Sequence, residues 1–301
     1  MAVIPPTLTV GDRVRLVSPA SPPERESVLA QTAILEGWGL QVEFGNHIFD
    51  KKGYLAGEDD DRLADVNAAF QDPGIRAIFA TRGGKGSYRI ADRLDFDAVR
   101  RDPKFMVGFS DITALHLSLY RHCGLVGLHG AVMPNADGAF DAENCEAMHE
   151  ALMLPGHASI FSRPDELTAA LTTSGHVRGP LIGGNLDMVA TTAGWALPPL
   201  AGAILLLEAV NMMRGQLDRQ LTMLRKAGHL QGVAGIALGQ FTGFETPRVM
   251  SAIDILREHL ETLGVPVLGG LPLGHGMSPL VVPIGRDAVL DTESLTLSFP
   301  D

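Results

Sequence analysis

Residues 75–119 read IRAIFATRGGKGSYRIADRLDFDAVRRDPKFMVGFSDITALHLSL. The run Ile75–Ala80 is apolar and β-branched, and it follows the breaker Asp72-Pro73-Gly74, so it reads as a buried strand. A glycine loop, Arg82-Gly83-Gly84-Lys85-Gly86-Ser87, comes next and should open a helix that ends near Leu94. Phe105–Gly108 reads as a second strand and Ile112–Arg121 as a helix. Strand, loop and helix in that order, repeated, predict a parallel sheet covered by helices on both faces. Moving outward, Arg13–Ser18, Leu40–Phe44 and Leu125–Leu128 carry strand patterns. Glu26–Trp38 and Asp59–Phe70 carry helical spacing. Ligands of such sheets bind beyond the carboxyl ends of the strands.

The region from Asp137 to Gly175 shows no clear strand. It reads as a helix, Glu143–Leu154, followed by a break at Pro155, Gly156 and Pro164. Beyond it, Ala203–Leu207, Val233–Leu238 and Ala288–Leu290 read as strands, and Asn185–Ala193, Leu217–Ala227 and Val249–Leu263 as helices. The expected fold is therefore α/β throughout. A parallel-sheet N-terminal domain takes residues 1–160, a linker 161–176, and a smaller α/β domain 177–301.

Composition narrows the function. The chain has 301 residues, 46% of them apolar and 20% charged, which is ordinary for a globular protein. It carries 24 Lys and Arg against 35 Asp and Glu, a formal charge of −11. No global positive field exists to hold a nucleic-acid backbone or an anionic membrane surface. The two cysteines, Cys123 and Cys145, make no disulfide framework and suit a reducing compartment. The start, Met1-Ala-Val-Ile-Pro-Pro, has no basic segment followed by an apolar one, so the expectation is a cytoplasmic protein.

Four places could carry chemistry. Ser110 lies where an apolar strand turns into a helix, in Gly108-Phe109-Ser110-Asp111. That is the geometry of a nucleophile elbow, and also that of a helix N-cap. Glu208 ends the apolar run Ala203–Leu207, where it either orients a histidine at the ligand crevice or is a solvated strand end. His275 sits between Gly274 and Gly276 and can reach a cleft as a general base; His129, after a strand, competes with it. His116, His122, His149 and His259 fall in helical patterns and are expected at or near the surface. The loop Arg82–Ser87 fits a phosphate cradle or an oxyanion hole, although its spacing matches neither standard phosphate motif. There is no H-E-x-x-H and no paired-cysteine motif, so neither a metal nor another cofactor is expected.

Taken together, the segments GYLAGEDDDRLADVNAAFQDPGIRAIFATRGGKGSYRI, PKFMVGFSDITALH, GLHG, GGNL, LLLEAV, LDRQLTMLRKAGHLQGVAGIALGQF and LPLGHG resemble the LD-carboxypeptidases of serine peptidase family S66. The resemblance runs from Gly11-Asp12 to about Leu290. It implies a flavodoxin-like N-terminal domain, a C-terminal α/β domain and an active site between them. It also implies a Ser–Glu–His triad of Ser110, Glu208 and His275, with backbone N–H groups of Asp111 and Gly84 as the oxyanion hole. The implied reaction is release of the terminal D-alanine from murein tetrapeptides through an acyl-enzyme, in cytoplasmic cell-wall recycling. Homodimers are common in the family. Arg82, beside the oxyanion loop, is a candidate for the substrate carboxylate.

The chain departs from the family pattern at Lys85, at His129-Gly130-Ala131, at Asn211-Met212-Met213 and at Gly215. A second branch of the family hydrolyses microcin C-type peptidyl or aminoacyl adenylates with the help of an aromatic loop. Between Asn185 and Glu208 only Trp195 is aromatic, which favours the murein branch. From another class, a phosphate- or nucleotide-binding protein without catalysis would use Arg82–Ser87.

Overall fold

Short apolar runs that stop at glycine, proline or a charged residue become the buried strands of this protein. The computed structural model describes residues 2–132, 141–154, 159–244 and 250–300. Val249, expected to start the last helix, lies outside them, as do Asp137, Pro155 and Gly156 of the expected strand-free region. In chain order the elements are β1 (Arg13–Val17), α1 (Arg25–Gly37), β2 (Gln41–Phe44), α2 (Asp59–Gln71), β3 (Ile75–Ala80), α3 (Phe96–Arg101), β4 (Phe105–Gly108), α4 (Thr113–Cys123), β5 (Gly127–His129) and α5 (Ala142–Met153). The chain continues through β6 (Ser159–Phe161), β7 (His176–Asn185), α6 (Leu186–Thr191), β8 (Ile204–Val210), α7 (Arg214–Lys226), β9 (Gly235–Thr242), α8 (Ala252–Glu261), β10 (Val267–Leu268), β11 (Val282–Ile284), β12 (Asp287–Asp291) and β13 (Thr296–Ser298). Contacts divide it into two units, residues 1–156 with 281–285, and residues 157–280 with 286–301.

The first unit has a six-stranded sheet in the order β11-β5-β4-β3-β1-β2. Strands β1 to β5 are parallel, and β11 joins β5 antiparallel. The order 2-1-3-4-5 is that of flavodoxin-like sheets. Its central strands β3 and β4 are almost wholly buried, as a sheet covered on both faces requires. Helix α2 opens with Asp59, Asp60 and Asp61, whose charges suit a helix N-terminus. At its other end the buried Lys104 donates to the carbonyls of Ala69 (3.0 Å) and Phe70 (2.7 Å), satisfying groups that a helix end leaves open. Burial holds the Lys104 ammonium below its ordinary pKa. Gly124, left-handed at φ 68°, closes α4.

The second unit has a seven-stranded sheet, β10-β9-β8-β7-β12-β13-β6. Strands β7 to β10 are parallel and β12, β13 and β6 antiparallel. Ile204–Leu207 of β8 are buried, which is why that strand was plain in the sequence.

Two expectations need correction, and one strand had no expectation at all. The helix expected from Ser87 to Leu94 is only a single 3₁₀ turn, Ser87–Arg89, because Ser87 is bonded to Asp111 and Asp95 caps a new helix by accepting from the Ala98 N–H. The region expected to lack strands contains β6, held by β13. Strand β7 was hidden by its own glycines: a β-carbon on Gly183 would lie 2.1 Å from the Leu206 carbonyl oxygen, and one on Gly179 2.1 Å from that of Gly202. These glycines mark close backbone approach, not a loop.

Candidate active site

Ser110 lies just past the end of β4, with one residue between them. The preceding residue, Phe109, is extended, and Ser110–Ile112 form a 3₁₀ turn that leads into α4. Ser110 itself has φ 63°, a left-handed conformation that costs an L-residue roughly 1–2 kcal/mol. A helix N-cap has extended backbone, so the capping reading of Ser110 does not fit. A strained, non-glycine residue at a strand-to-helix turn is the geometry of an elbow that projects its side chain.

The glycine loop after β3 is built around this turn. A β-carbon on Gly83 would lie 2.8 Å from the Ser110 Cβ and 3.2 Å from its Oγ. Only glycine can lie so close. The Gly83 carbonyl accepts from the Ser21 N–H at 3.3 Å, and the N–H of the same planar trans peptide, that of Gly84, points the opposite way. Ser21 Oγ accepts from the Lys85 N–H (3.1 Å) and donates to the Tyr54 carbonyl (2.8 Å). A β-carbon on Gly84, at φ 107°, would meet Ser21 Oγ at 2.4 Å.

The loop is also tied to the residue after Ser110. The Ser87 N–H donates to Asp111 Oδ2 at 2.7 Å, and its hydroxyl donates to the Asp111 carbonyl at 2.5 Å. On the far side the buried Arg62 donates to the Gly86 carbonyl at 3.0 Å, and also to Pro19 O and to Asp59. Asp111, Ser87 and Arg62 are all buried. No α-helix begins at this loop, so the aligned N–H groups that hold a phosphate at a helix start are absent from the described structure here.

His116 on α4 was expected near the surface and is 1% exposed. Its Nε2 donates to the Gly108 carbonyl at 2.8 Å, which fixes the end of β4. Burial pushes its pKa down to about 4, so the ring is neutral at pH 7. Gly127 on β5 makes room for it, since a β-carbon there would lie 2.2 Å from Nδ1. His259 is likewise buried and bonds Asp218 at 2.8 Å, while His122 is exposed and His149 half-buried. His129 is buried edge-on to Phe109, ring centroids 6.1 Å apart. Arg82 is exposed; its Nη1 lies 3.5 Å from the Pro22 carbonyl, and it has no ion pair among the described residues.

The second unit places Glu208 and His275 together. Glu208 is completely buried at a register shift between β8 and β9, a distortion of the kind that re-aims side chains beside active sites. Its Oε2 bonds His275 Nδ1 at 2.7 Å, and its Oε1 accepts from Asn185 Nδ2 at 3.0 Å. Both carboxylate oxygens are thus engaged, as a buried charge requires. A β-carbon on Gly274, at φ 117°, would lie 2.6 Å from Glu208 Oε2, which explains the glycine before the histidine. With Nδ1 bonded to the carboxylate, Nε2 is the nitrogen on the opposite side of the ring, the one that exchanges the proton in such a pair. Asn185 was not singled out from the sequence; its one signal was the end of the GGN run, opposite Glu208 in the β7–β8 register.

Among the described residues, His47, Asp50 and Asp61 are the one cluster whose ligand atoms approach within 4.8 Å. The His47 nitrogens face different carboxylates, Asp50 at 2.8 Å and Asp61 at 3.9 Å. No helix among the described residues is long and apolar enough to cross a membrane.

Comparison with known proteins assigns the class. The profile described as LD-carboxypeptidase N-terminal domain matches residues 14–130, and that described as LD-carboxypeptidase C-terminal domain matches residues 178–290. A murein tetrapeptide carboxypeptidase of Pseudomonas aeruginosa is 32% identical over 293 residues, covering 95% of each chain. The crystal structure of a muramoyltetrapeptide carboxypeptidase from Oxalobacter formigenes superposes with TM-score 0.84 at 25% identity, covering 96% of this chain and 99% of that one. The microcin C7 self-immunity protein MccF superposes with TM-score 0.88 at 23% identity, covering 99% of this chain and 98% of that one, and so shares the fold. The class is that of serine carboxypeptidases, hydrolases that act on peptides. Within it, the chain belongs to the LD-carboxypeptidases, peptidase family S66.

Proposed function

We propose that this enzyme releases the terminal D-alanine from murein tetrapeptides, with Ser110 as nucleophile, His275 as general base and Glu208 as the acid that orients it. Ser110 Oγ attacks the carbonyl that joins the L-centre of the diamino acid to D-alanine. His275 Nε2 takes the hydroxyl proton and returns it to the leaving nitrogen, and Glu208 stabilises the imidazolium formed in between. Backbone N–H groups of Asp111 and Gly84 receive the oxyanion, a contribution of roughly 3–4 kcal/mol for one donor. Water then resolves the acyl-enzyme, and His275 repeats its role. The first unit supplies the nucleophile and the second the acid and base.

The observation that carries this reading is the 2.7 Å bond between buried Glu208 and His275. The left-handed turn at Ser110 supports it independently. The Pseudomonas and Oxalobacter relatives are named for murein tetrapeptides, which supports this choice of substrate. Trp195 is the one aromatic residue between Asn185 and Glu208, which favours the murein branch over adenylate hydrolysis. Arg82, with no carboxylate partner among the described residues, is proposed to meet the substrate carboxylate. A homodimer acting in cytoplasmic recycling completes the proposal; light scattering after size exclusion tests the dimer.

The test is incubation of the purified protein with L-Ala-D-Glu-meso-diaminopimelate-D-Ala, with mass spectrometry for loss of alanine. Rapid loss is expected. No loss from this peptide, together with cleavage of an aminoacyl-sulfamoyl adenylate, would move the enzyme to the microcin branch.

A further inference from the structure

A bond to the ring alone does not fix the backbone of the loop that carries His275. The loop is fixed from a second side. Gln240 and Thr242 lie two residues apart on β9 and so share one face of the strand. Gln240 is 1% exposed. Its backbone N–H donates to the Leu273 carbonyl at 2.8 Å. Its side-chain Oε1 accepts from the Gly276 N–H at 2.7 Å, and its Nε2 donates to the Met277 carbonyl at 3.0 Å. Thr242 Oγ1 donates to the carbonyl of His275 itself at 3.0 Å. A β-carbon on Gly276 would lie 2.2 Å from the Gln240 amide carbon, so glycine is needed to let the loop rest on the glutamine. The remaining Gln240 amide hydrogen goes to Glu166 Oε1 at 2.6 Å. Every polar atom of this buried amide therefore has a partner, and two of its three side-chain bonds go to the two residues after His275.

We infer that Gln240 is a positioning residue for the general base: its amide clamps the backbone beyond His275, Thr242 holds the His275 carbonyl, and Glu166 locks the amide in the orientation that does so. This rests on the proposal that His275 is the base. An amide has one donor end and one acceptor end, and the loop presents one N–H and one carbonyl to match. Without the lock, a flipped amide would set its N–H₂ against the Gly276 N–H and its oxygen against the Met277 carbonyl, two repulsive contacts in a buried place. The two β9 side chains fix the loop backbone and Glu208 fixes the ring, so the imidazole keeps both position and tautomer.

The chemistry allows a swap. Gln240→Glu keeps the acceptor for the Gly276 N–H but turns a carboxylate on Glu166 and on the Met277 carbonyl. Adding Glu166→Gln restores a donor–acceptor pair at that junction. The experiment measures kcat, KM and Tm for D-alanine release by the wild type, His275→Ala, Gln240→Leu, Gln240→Glu, Thr242→Val and the double variant Gln240→Glu/Glu166→Gln. Misplacing a catalytic group by about 1 Å costs about 10²-fold, so Gln240→Leu and Gln240→Glu should lose that much in kcat with KM within about twofold. Thr242→Val should lose less, about tenfold by the same reasoning. The double variant should recover part of the loss caused by Gln240→Glu, because the Glu166→Gln amide then donates to the carboxylate while the Met277 carbonyl still lacks its donor. If Gln240→Leu does not fold, Thr242→Val and the swap decide. Wild-type kcat in the folded Gln240 and Thr242 variants, with only Tm lowered, overturns the inference, and so does a double variant no better than Gln240→Glu. Full turnover by His275→Ala would overturn the base assignment and this inference with it. An inactive His275→Ala beside fully active Gln240 variants overturns this inference alone.

Discussion

The two halves of the candidate machinery are held by different kinds of force. Ser110 is placed by backbone: a left-handed turn, a 3₁₀ start to α4, and a glycine packed against its Cβ. His275 is placed by side chains, from Glu208 on β8 and from Gln240 and Thr242 on β9, with Asn185 at the end of β7 bonding Glu208 in turn. The nucleophile must be rigid against a developing oxyanion. The base must keep one tautomer and one position while its charge changes. Backbone geometry suits the first task and a hydrogen-bonded carboxylate the second.

The contrast can be broken from either side. Ser110→Ala should cost about 10⁶ in kcat and leave the backbone strain in place, since alanine keeps the Cβ that disfavours positive φ. Activity is read as D-alanine release, and a loss below tenfold would remove Ser110 from its role. Glu208→Gln should cost about 10⁴ in kcat, because the amide can hold the ring in the wrong tautomer; equal turnover would show that the pair is structural. Gly83→Ala sharpens the backbone side. Its methyl would press on Ser110, and a loss of about 10² in kcat is expected for a displacement near 1 Å. If the loop gives way and kcat holds, close packing is not what sets the serine.

The smallest effect concerns stability. His116 titrates at about 4 in the fold against 6.5 for the free side chain. A depressed folded pKa means that the unfolded chain binds the proton first as pH falls. Stability present above pH 6.5 is therefore lost on the way to about 4, by up to roughly 3 kcal/mol. Denaturant unfolding across that window should show the slope, and His116→Asn should flatten it. Parallel slopes in the two proteins would contradict the buried neutral histidine.

How much of this was legible follows the same contrast. Ile75–Ala80 and Phe105–Gly108 matched their strands to the residue, because buried parallel strands are short apolar runs with hard stops. The serine turn was legible as well, since its parts lie within a few residues of one another. Strand β7 was not, because Gly179, Gly183 and Gly184 serve backbone packing that only the neighbouring strand reveals. Strand β11 was missed because three residues that include Pro283 carry no period. Glu208 and His275 were singled out as candidates by motif, whereas Asn185, Gln240 and Thr242 were not. They act through contacts 23, 36 and 33 residues apart in sequence, and no local pattern records such a distance.

The most direct measurement traps the intermediate. A tetrapeptide analogue ending in D-lactate has a better leaving group than D-alanine, so acylation should outrun hydrolysis. Mixed with the wild-type enzyme and quenched in acid, it should leave the tripeptidyl mass on the peptide that contains Ser110. An adduct on any other residue, or undiminished lactate release by Ser110→Ala, would contradict the account.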